Sequence, residues 1–566
     1  MLRIMIPKPI SRTLLRQVEL HQLPLRFNRA FSSAVHGQNH DRNSDILVIG
    51  AGITGISASI AAAERGASVT LLDASHGGGA TALSGGFIYA GGGTPYQKAA
   101  GYDDTPENMY AYLKAEIKGA VDDATLQRFC DGSVARLNWL ERQGVKFEGS
   151  LCPHKSSFPS DRYYLMFTGN EQAWPFRELA RPAPRGHRVL APGFGGGLLS
   201  EILFHRAMDL GVKFLPTSKV ERVVLDGNGS AVGIEYKSLD PSSKAFRRHR
   251  VLTWAGNKMQ LPLPGLAAKF LDRAEAIFAK DALRSSVNAP AVILAAGGFA
   301  FNEKMRQQYI PEFKDVAPLG TRGDDGSGIR LGQAAGGLIG NMDKMSAWRF
   351  IYPPTAFIEG VVVALNGKRF INEDVYGALL SEKMIMEHNG KAFLILDSAQ
   401  WEKANEQAFE QVRLELLLPA LNWLKWDHVR AGSIQELAKK TGVAATGLEE
   451  TLSAYNDAAL AGQLDPLQKD IAYCTPIMKP PFYAIDISPR REGFQMVPGL
   501  TLGGLRVDGR SGLVLRENKT TIKGLYAAGR NAVGICSNGY VSGLSLADGV
   551  FSGIRAGEHA AEISKA

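Results

Sequence analysis

From Asp45 onward the apolar and polar positions alternate between short unbroken apolar runs and segments with helical spacing. Asp45 to Ile49 is an apolar run of strand length, suited to a parallel strand buried on both faces. A helix follows Gly55 and ends at Gly66, and Val69 to Leu72 returns as a second buried strand. Between Thr105 and Gly144 the spacing is helical, with Leu126, Phe129, Val134, Leu137 and Leu140 on a repeating face that reads as packing. Gly193 to Gly211 is a glycine turn leading into an amphipathic helix, and Asp226-Gly-Asn-Gly after it marks a hairpin. Pro290 to Phe301 is another buried strand that runs into glycines. The character changes from about Leu338 to Pro481, and from Phe482 the first pattern resumes.

Strand, glycine loop, helix and strand in this order carry chemistry. Gly50, Gly52 and Gly55 have the GxGxxG spacing: the first allows a tight turn, the second a close approach to a pyrophosphate, the third close packing of the helix on the strand. The helix aims its free amides and positive dipole end at phosphate. Asp73 follows Gly50 by 23 residues, where a carboxylate accepts hydrogen bonds from ribose hydroxyls. A bound dinucleotide is predicted. A second glycine-rich segment, Gly77 to Gly93 with Thr81, Ser84, Gly85 and Gly86, comes just beyond the acid and is expected along the same ligand, the alternative being a surface loop.

At 566 residues the chain exceeds one compact core, so two domains are expected. Its net charge of +8 does not indicate nucleic acid, because residues 1–44 alone supply +5 and no basic stripe interleaved with aromatics follows. That segment, with Arg3, Lys8, Arg12, Arg16, Arg26 and Arg29 among apolar residues, reads as a mitochondrial address, with a disordered basic tail on a cytoplasmic protein as the alternative. Four cysteines, Cys130, Cys152, Cys474 and Cys536, lack any CxxC spacing, which argues against a metal site or a disulfide framework. Between Ser238 and Asn288 lies an insertion. Its stretch Leu266 to Leu283 has Phe270, Ala274, Ile277 and Phe278 on one face and Lys269, Arg273, Lys280 and Arg284 among its polar positions; packing on the parent domain is expected, a peripheral membrane contact being the alternative.

The ordered segments GAGITG, GFGGG, PAVILAAGGFAF, TRGDDGSG, TLGGLRVD, GLYAAGRNAVG and SLADGVFSGIRAG resemble the fumarate reductase/succinate dehydrogenase flavoprotein superfamily over residues 45 to 566, apart from the insertions. The resemblance implies an α/β fold: a Rossmann-like FAD-binding domain, split into residues 45–338 and 482–566, with an inserted α+β capping domain at 339–481. The implied cofactor is FAD. Its sites would be Gly50, Ala51, Gly52 and Gly55; Asp73 and Ala74 at the ribose; Thr81, Ser84, Gly85 and Gly86 along it; Val220 by its backbone at adenine; Ala296 and Gly297 at the pyrophosphate; Asp325; Gly529 and Arg530; and Ser545 and Leu546 at the pyrimidine edge. Gly79 stands where flavinylated members carry a histidine, so the FAD would be noncovalent.

Members that bind dicarboxylates use two histidines and an arginine. Here Leu500, Tyr352-Pro353-Pro354 and Tyr540 stand in those neighbourhoods. Two buried carboxylates without cations are too costly, so the substrate is predicted to be a neutral ketone. Tyr540-Val-Ser542 and Tyr352 resemble the arrangement in 3-ketosteroid Δ4-(5α)-dehydrogenases. That resemblance implies Tyr540 as the carbonyl-binding acid, Ser542 at the proton being removed and Tyr352 as its partner. A flavin-dependent ene-reductase acting on a neutral enone and a non-catalytic electron-transfer subunit are the alternatives, and the electron acceptor is left open.

Overall fold

The computed structural model describes residues 44–260 and 263–565. The address segment expected over residues 1–44 lies, but for Ser44, outside the described residues. A six-stranded sheet forms the centre, in the spatial order Leu513–Leu515, Thr521–Ala527, Ala291–Leu294, Ile46–Ile49, Val69–Leu72, Lys213–Leu215. Neighbours run parallel except at the edge strand Leu513–Leu515. Every residue of the strands Ile46–Ile49, Val69–Leu72 and Ala291–Leu294 is buried, which is why they read as unbroken apolar runs. Residues from both halves of the chain build this sheet, so the domain is split in sequence.

Strand order reverses at Ile46–Ile49, whose sequence neighbour Val69–Leu72 lies on one side and Ala291–Leu294 on the other. Such a switch point opens a crevice beyond the carboxyl ends of the strands. Two chain segments nearly touch there: Gly50 has φ +107°, and a Cβ on it would lie 2.5 Å from Ala295 O, so only glycine fits. Behind the crevice the helix Ile53–Glu64 crosses the C-terminal helix Leu544–Ser564 at small residues. A Cβ on Gly549 would lie 2.6 Å from Thr54 Oγ1, one on Gly553 would meet Thr54 O, and one on Gly557 Ala58 O. Spaced four apart, these glycines line one face of the helix and receive the backbone of the other.

The antiparallel strands Ser218–Leu225, Ala231–Ser238 and Leu283–Asn288 form a separate sheet. The insertion is a pair of helices, Lys244–Met259 and Pro264–Asp281, between its last two strands. Leu271, Ala274 and Phe278 are buried, with Leu271 Cγ 2.6 Å from where Gly256 would carry a Cβ. The apolar face of the second helix is therefore used in packing. The outer face of the first is the one left open, with Val251 61% and Trp254 40% exposed among Lys244, Arg247, Arg248 and Lys258.

The cap is built on an antiparallel sheet in the order Val361–Ala364, Ala392–Leu396, Phe482–Asp486, Val429–Ala431. The helices Gly377–His388, Ser398–Gln411 and Leu414–Lys425 contribute to one core on it, and Ile434–Thr441 with Ala445–Leu460 to a second. Phe482–Asp486, whose apolar run reads as the return to the first domain, is a strand of this sheet, so the chain leaves the cap only after Asp486. Leu414–Lys425 packs through Trp423 and Leu424 but leaves Leu414 and Leu418 in the open.

Candidate active site

The crevice at Gly50 is bounded by a network of backbone amides. Ile53 N, at the start of the first helix, donates to Thr81 Oγ1 at 3.0 Å, so Thr81 caps this helix. Ser84 Oγ donates to Thr81 O at 2.8 Å and accepts from Gly86 N at 3.3 Å. Gly195 N donates to Gly85 O at 3.2 Å, which locks the second glycine-rich segment against Gly195-Gly196 and removes the surface-loop alternative. Asp73 accepts from Ala51 N at 2.8 Å, Ser75 N at 2.8 Å and Gly77 N at 3.2 Å. It ties the glycine loop to the segment after the second strand, and its two oxygens keep lone pairs for a ribose hydroxyl. Ala74 beside it is exposed. Val220 pairs with Tyr236 and Arg222 with Glu235, so Glu221 is an extra residue and the strand bulges at Val220.

At the other wall Ala296 N donates to Asn531 Oδ1. Arg530 pairs with Asp324 at 2.5 Å, and that carboxylate also accepts from Gly298 N at 3.2 Å and Thr321 N at 3.0 Å. The acid beside Arg530 is thus Asp324; Asp325, expected at the cofactor, accepts from Ser327 N at 2.8 Å. Arg530 Nη1 and Asn531 Nδ2 are buried donors with no partner among the described residues. They lie by Ala296 to Gly298, where Gly297 has φ +84°. Buried donors seek acceptors, and a pyrophosphate with a hydroxylated chain supplies them, so the site fits FAD. Gly529 N donates to Ser552 Oγ at 2.9 Å and anchors this wall to the C-terminal helix. Ser545 and Leu546 lie in the first turn of that helix, whose amides face outward along its axis.

The candidate catalytic residues converge. Tyr540 is buried and stacked on Trp348, ring centroids 5.2 Å apart. Ser542 N donates to Thr168 O at 3.1 Å, and Tyr352 Oη donates to Val375 O at 3.3 Å. A fourth residue, Tyr376, joins them: its hydroxyl faces the Ser542 side chain and interacts electrostatically with Tyr540 and Tyr352. Tyr376 stands in the stretch Asn366 to Gly377, but nothing in its spacing marks it. The one local sign is Gly377, where a Cβ would lie 2.5 Å from Arg349 O. That close approach sets the Tyr376 ring 5.3 Å from Phe350.

Burial pushes the hydroxyls of Tyr352, Tyr376 and Tyr540 above the ordinary phenol range, so all three are neutral donors at physiological pH. Of the cations near them, Arg530 is paired with Asp324 and turned to the cofactor wall, and two others are committed to carbonyls. Arg349 donates to Ile487 O, Ser488 O and Gln495 O, and Lys155, 5.8 Å from the Tyr352 ring centroid, donates to Asp374 O. Leu500 is buried in a strand opposite Ser346. From the exposed Phe194 a line of rings runs inward through Phe158 and Phe350 to Tyr376, at centroid spacings of 5.8, 6.2 and 5.3 Å.

Residues 45–543 match the FAD binding domain family. The chain is 35% identical to the 3-oxo-5-alpha-steroid 4-dehydrogenase of Comamonas testosteroni, over 86% of this chain and 92% of that one. The crystal structure of 3-ketosteroid-delta4-(5alpha)-dehydrogenase from Rhodococcus jostii RHA1, in complex with 4-androstene-3,17-dione, matches with a TM-score of 0.76 and 34% identity, covering 93% of this chain and 99% of that one. A flavocytochrome c3 fumarate reductase, 22% identical, shares the fold with a TM-score of 0.60 over 96% of this chain and 81% of its own. The chain therefore belongs to the FAD binding domain family, in the branch of the 3-ketosteroid dehydrogenases, and is an FAD-dependent dehydrogenase acting on carbon–carbon bonds.

Proposed function

We propose that the protein removes hydrogen from adjacent carbons of a neutral, steroid-like ketone, placing a double bond next to the carbonyl. The observation that carries this reading is the cluster of Tyr352, Tyr376, Tyr540 and Ser542, three neutral phenols and a hydroxyl, where a dicarboxylate would need cations. The aromatic line from Phe194 suits a large apolar molecule. Tyr540 donates to the carbonyl oxygen and stabilises the charge that develops as the neighbouring carbon loses its proton. Ser542 Oγ receives that proton. A serine is a weak base, so Ser542 passes its own proton to the facing Tyr376 hydroxyl as it takes up the substrate's. Tyr376 gives one up in turn past Tyr352 to solvent water, each hydroxyl ending neutral. FAD, when bound, supplies the hydride acceptor.

Anaerobic addition of 5α-androstane-3,17-dione to the FAD-loaded protein tests the reading: bleaching of the yellow flavin is expected, and an unchanged spectrum across saturated 3-ketosteroids overturns it. The acceptor that reoxidises the flavin is inferred to be a quinone, oxygen or a protein, since the chain carries one nucleotide fingerprint. A peripheral contact with anionic lipid is supported by the nine Lys and Arg against three acids in residues 244–284, and by the exposed Val251 and Trp254. Loss of co-sedimentation with phosphatidylglycerol vesicles in Trp254→Ser is the expected result; equal binding of both proteins removes the contact. A mitochondrial location is inferred from residues 1–44, and a fluorescent fusion that stays cytoplasmic counts against it.

A further inference from the structure

Two hydrogen bonds hold the backbones of Ser542 and Tyr376, and both end on one short segment. Ser542 N donates to Thr168 O at 3.1 Å, and Tyr376 N donates to Asn170 Oδ1 at 2.7 Å. We propose that Asn170 and Glu116 are positioning residues for Tyr376: together they hold the cap's tyrosine at a fixed distance from the serine carried by the FAD-binding body. The proposal deepens the reading of Ser542 and Tyr376 as the proton path and rests on it.

Asn170 is fully buried and every polar atom of its side chain is used. Its Nδ2 donates to both oxygens of Glu116, at 3.2 and 3.0 Å, and its own N donates to Tyr112 Oη at 2.9 Å. Tyr112 Oη in turn donates to Glu116 at 3.1 Å. An amide side chain has two orientations that differ only in which end donates. A backbone N–H only donates, so Tyr376 requires the oxygen end of Asn170 and leaves the NH2 end for Glu116. With the amide turned over, two donors would face each other at Tyr376 and two acceptors at Glu116.

The same three residues are wedged under the flavin-side strip. A Cβ on Gly169 would lie 2.5 Å from Tyr112 Oη and would also meet Val541, and one on Gly539 would meet Glu116 O. Val541 stands between Tyr540 and Ser542, so Thr168 to Asn170 touches both halves of the cluster through backbone and small atoms, with no long side chain to relax. Among the described residues no cation pairs with Glu116: Tyr112 and Asn170 face it directly, with Glu171, Lys118 and Tyr376 at longer range. A buried carboxylate held by neutral donors costs stability, which fits a role in geometry better than one in folding.

The test compares FAD-loaded wild type with Asn170→Ala, Glu116→Leu and Glu116→Gln. Hydrogen exchange of the peptide containing Tyr376, without steroid, reads the clasp directly. Exchange about tenfold faster is expected in Asn170→Ala and Glu116→Leu, with Glu116→Gln close to wild type because its oxygen still accepts. Flavin bleaching by 5α-androstane-3,17-dione is expected to slow about tenfold in the first two, with FAD content and affinity for 4-androstene-3,17-dione within about twofold. Unchanged exchange in Asn170→Ala overturns the proposal, as does bleaching at the wild-type rate despite faster exchange. A Glu116→Gln protein as impaired as Glu116→Leu overturns the part assigned to Glu116. Wild type that fails to bleach speaks against the reaction instead, and the exchange measurement still decides the clasp.

Discussion

Trp348 and Tyr540 lie face to face, their planes 18° from parallel, and the indole Nε1 of Trp348 is itself fixed by donating to Ser346 Oγ at 2.8 Å. The tryptophan is a backing plate that sets the direction of the Tyr540 hydroxyl. Trp348→Ala is expected to keep FAD and lower turnover by about tenfold, since a misplaced donor loses alignment with the carbonyl. Trp348→Phe retains a flat ring and is expected to lose less. Steady-state rates with a saturated 3-ketosteroid, alongside flavin absorbance for FAD content, check both.

Tyr540→Phe, Tyr376→Phe and Ser542→Ala each remove one hydroxyl. All three are expected to bind FAD, with turnover down by about 10²–10⁴. Tyr376 and Ser542 act in one proton path on the proposed reading, so the double variant is expected to be little slower than either single one. Undiminished turnover in Tyr540→Phe would sink its assignment as the carbonyl donor.

At the crossing of the first and last helices, Gly553→Val inserts a branched side chain where Thr54 O already sits. A loss of about 1–3 kcal/mol is expected, read as a lower thermal midpoint in the FAD-loaded protein. Gly211→Ala is a control: no atom of the described residues lies within 4 Å of its Cβ position, and only the cost of φ +83° remains.

Burial raises the Glu116 carboxyl from 4.5 to about 7. A carboxyl with a raised folded-state pKa gives its full stability below the ordinary carboxylate range and loses it as pH climbs through the raised value. Wild type is therefore expected to lose about 2 kcal/mol relative to Glu116→Gln between pH 5 and pH 8. Urea unfolding of both proteins at the two pH values measures it, and parallel curves would contradict it.

The sheet and the cofactor crevice were legible because their causes are local. Ile46–Ile49 is buried on both faces and so reads as an apolar run, and Gly50 declares a turn that no other residue makes. Tyr376 was not legible, since a single tyrosine has no period and its place depends on Asn170, 206 positions away. Phe482–Asp486 has a strand's pattern, but pattern does not say which sheet a strand joins. Asp324 and Asp325 are adjacent acids in one glycine-rich turn, and only the fold turns the first toward Arg530.

The strand Thr521–Ala527 pairs with Ala291–Leu294, which was made more than two hundred residues earlier. On a ribosome the cap is therefore complete while the central sheet still has an open edge of bare amides and carbonyls at Ala291–Leu294. A chain stopped between Asp486 and Thr521 would hold a finished lid over an unfinished floor, with that edge offered to any other strand in reach.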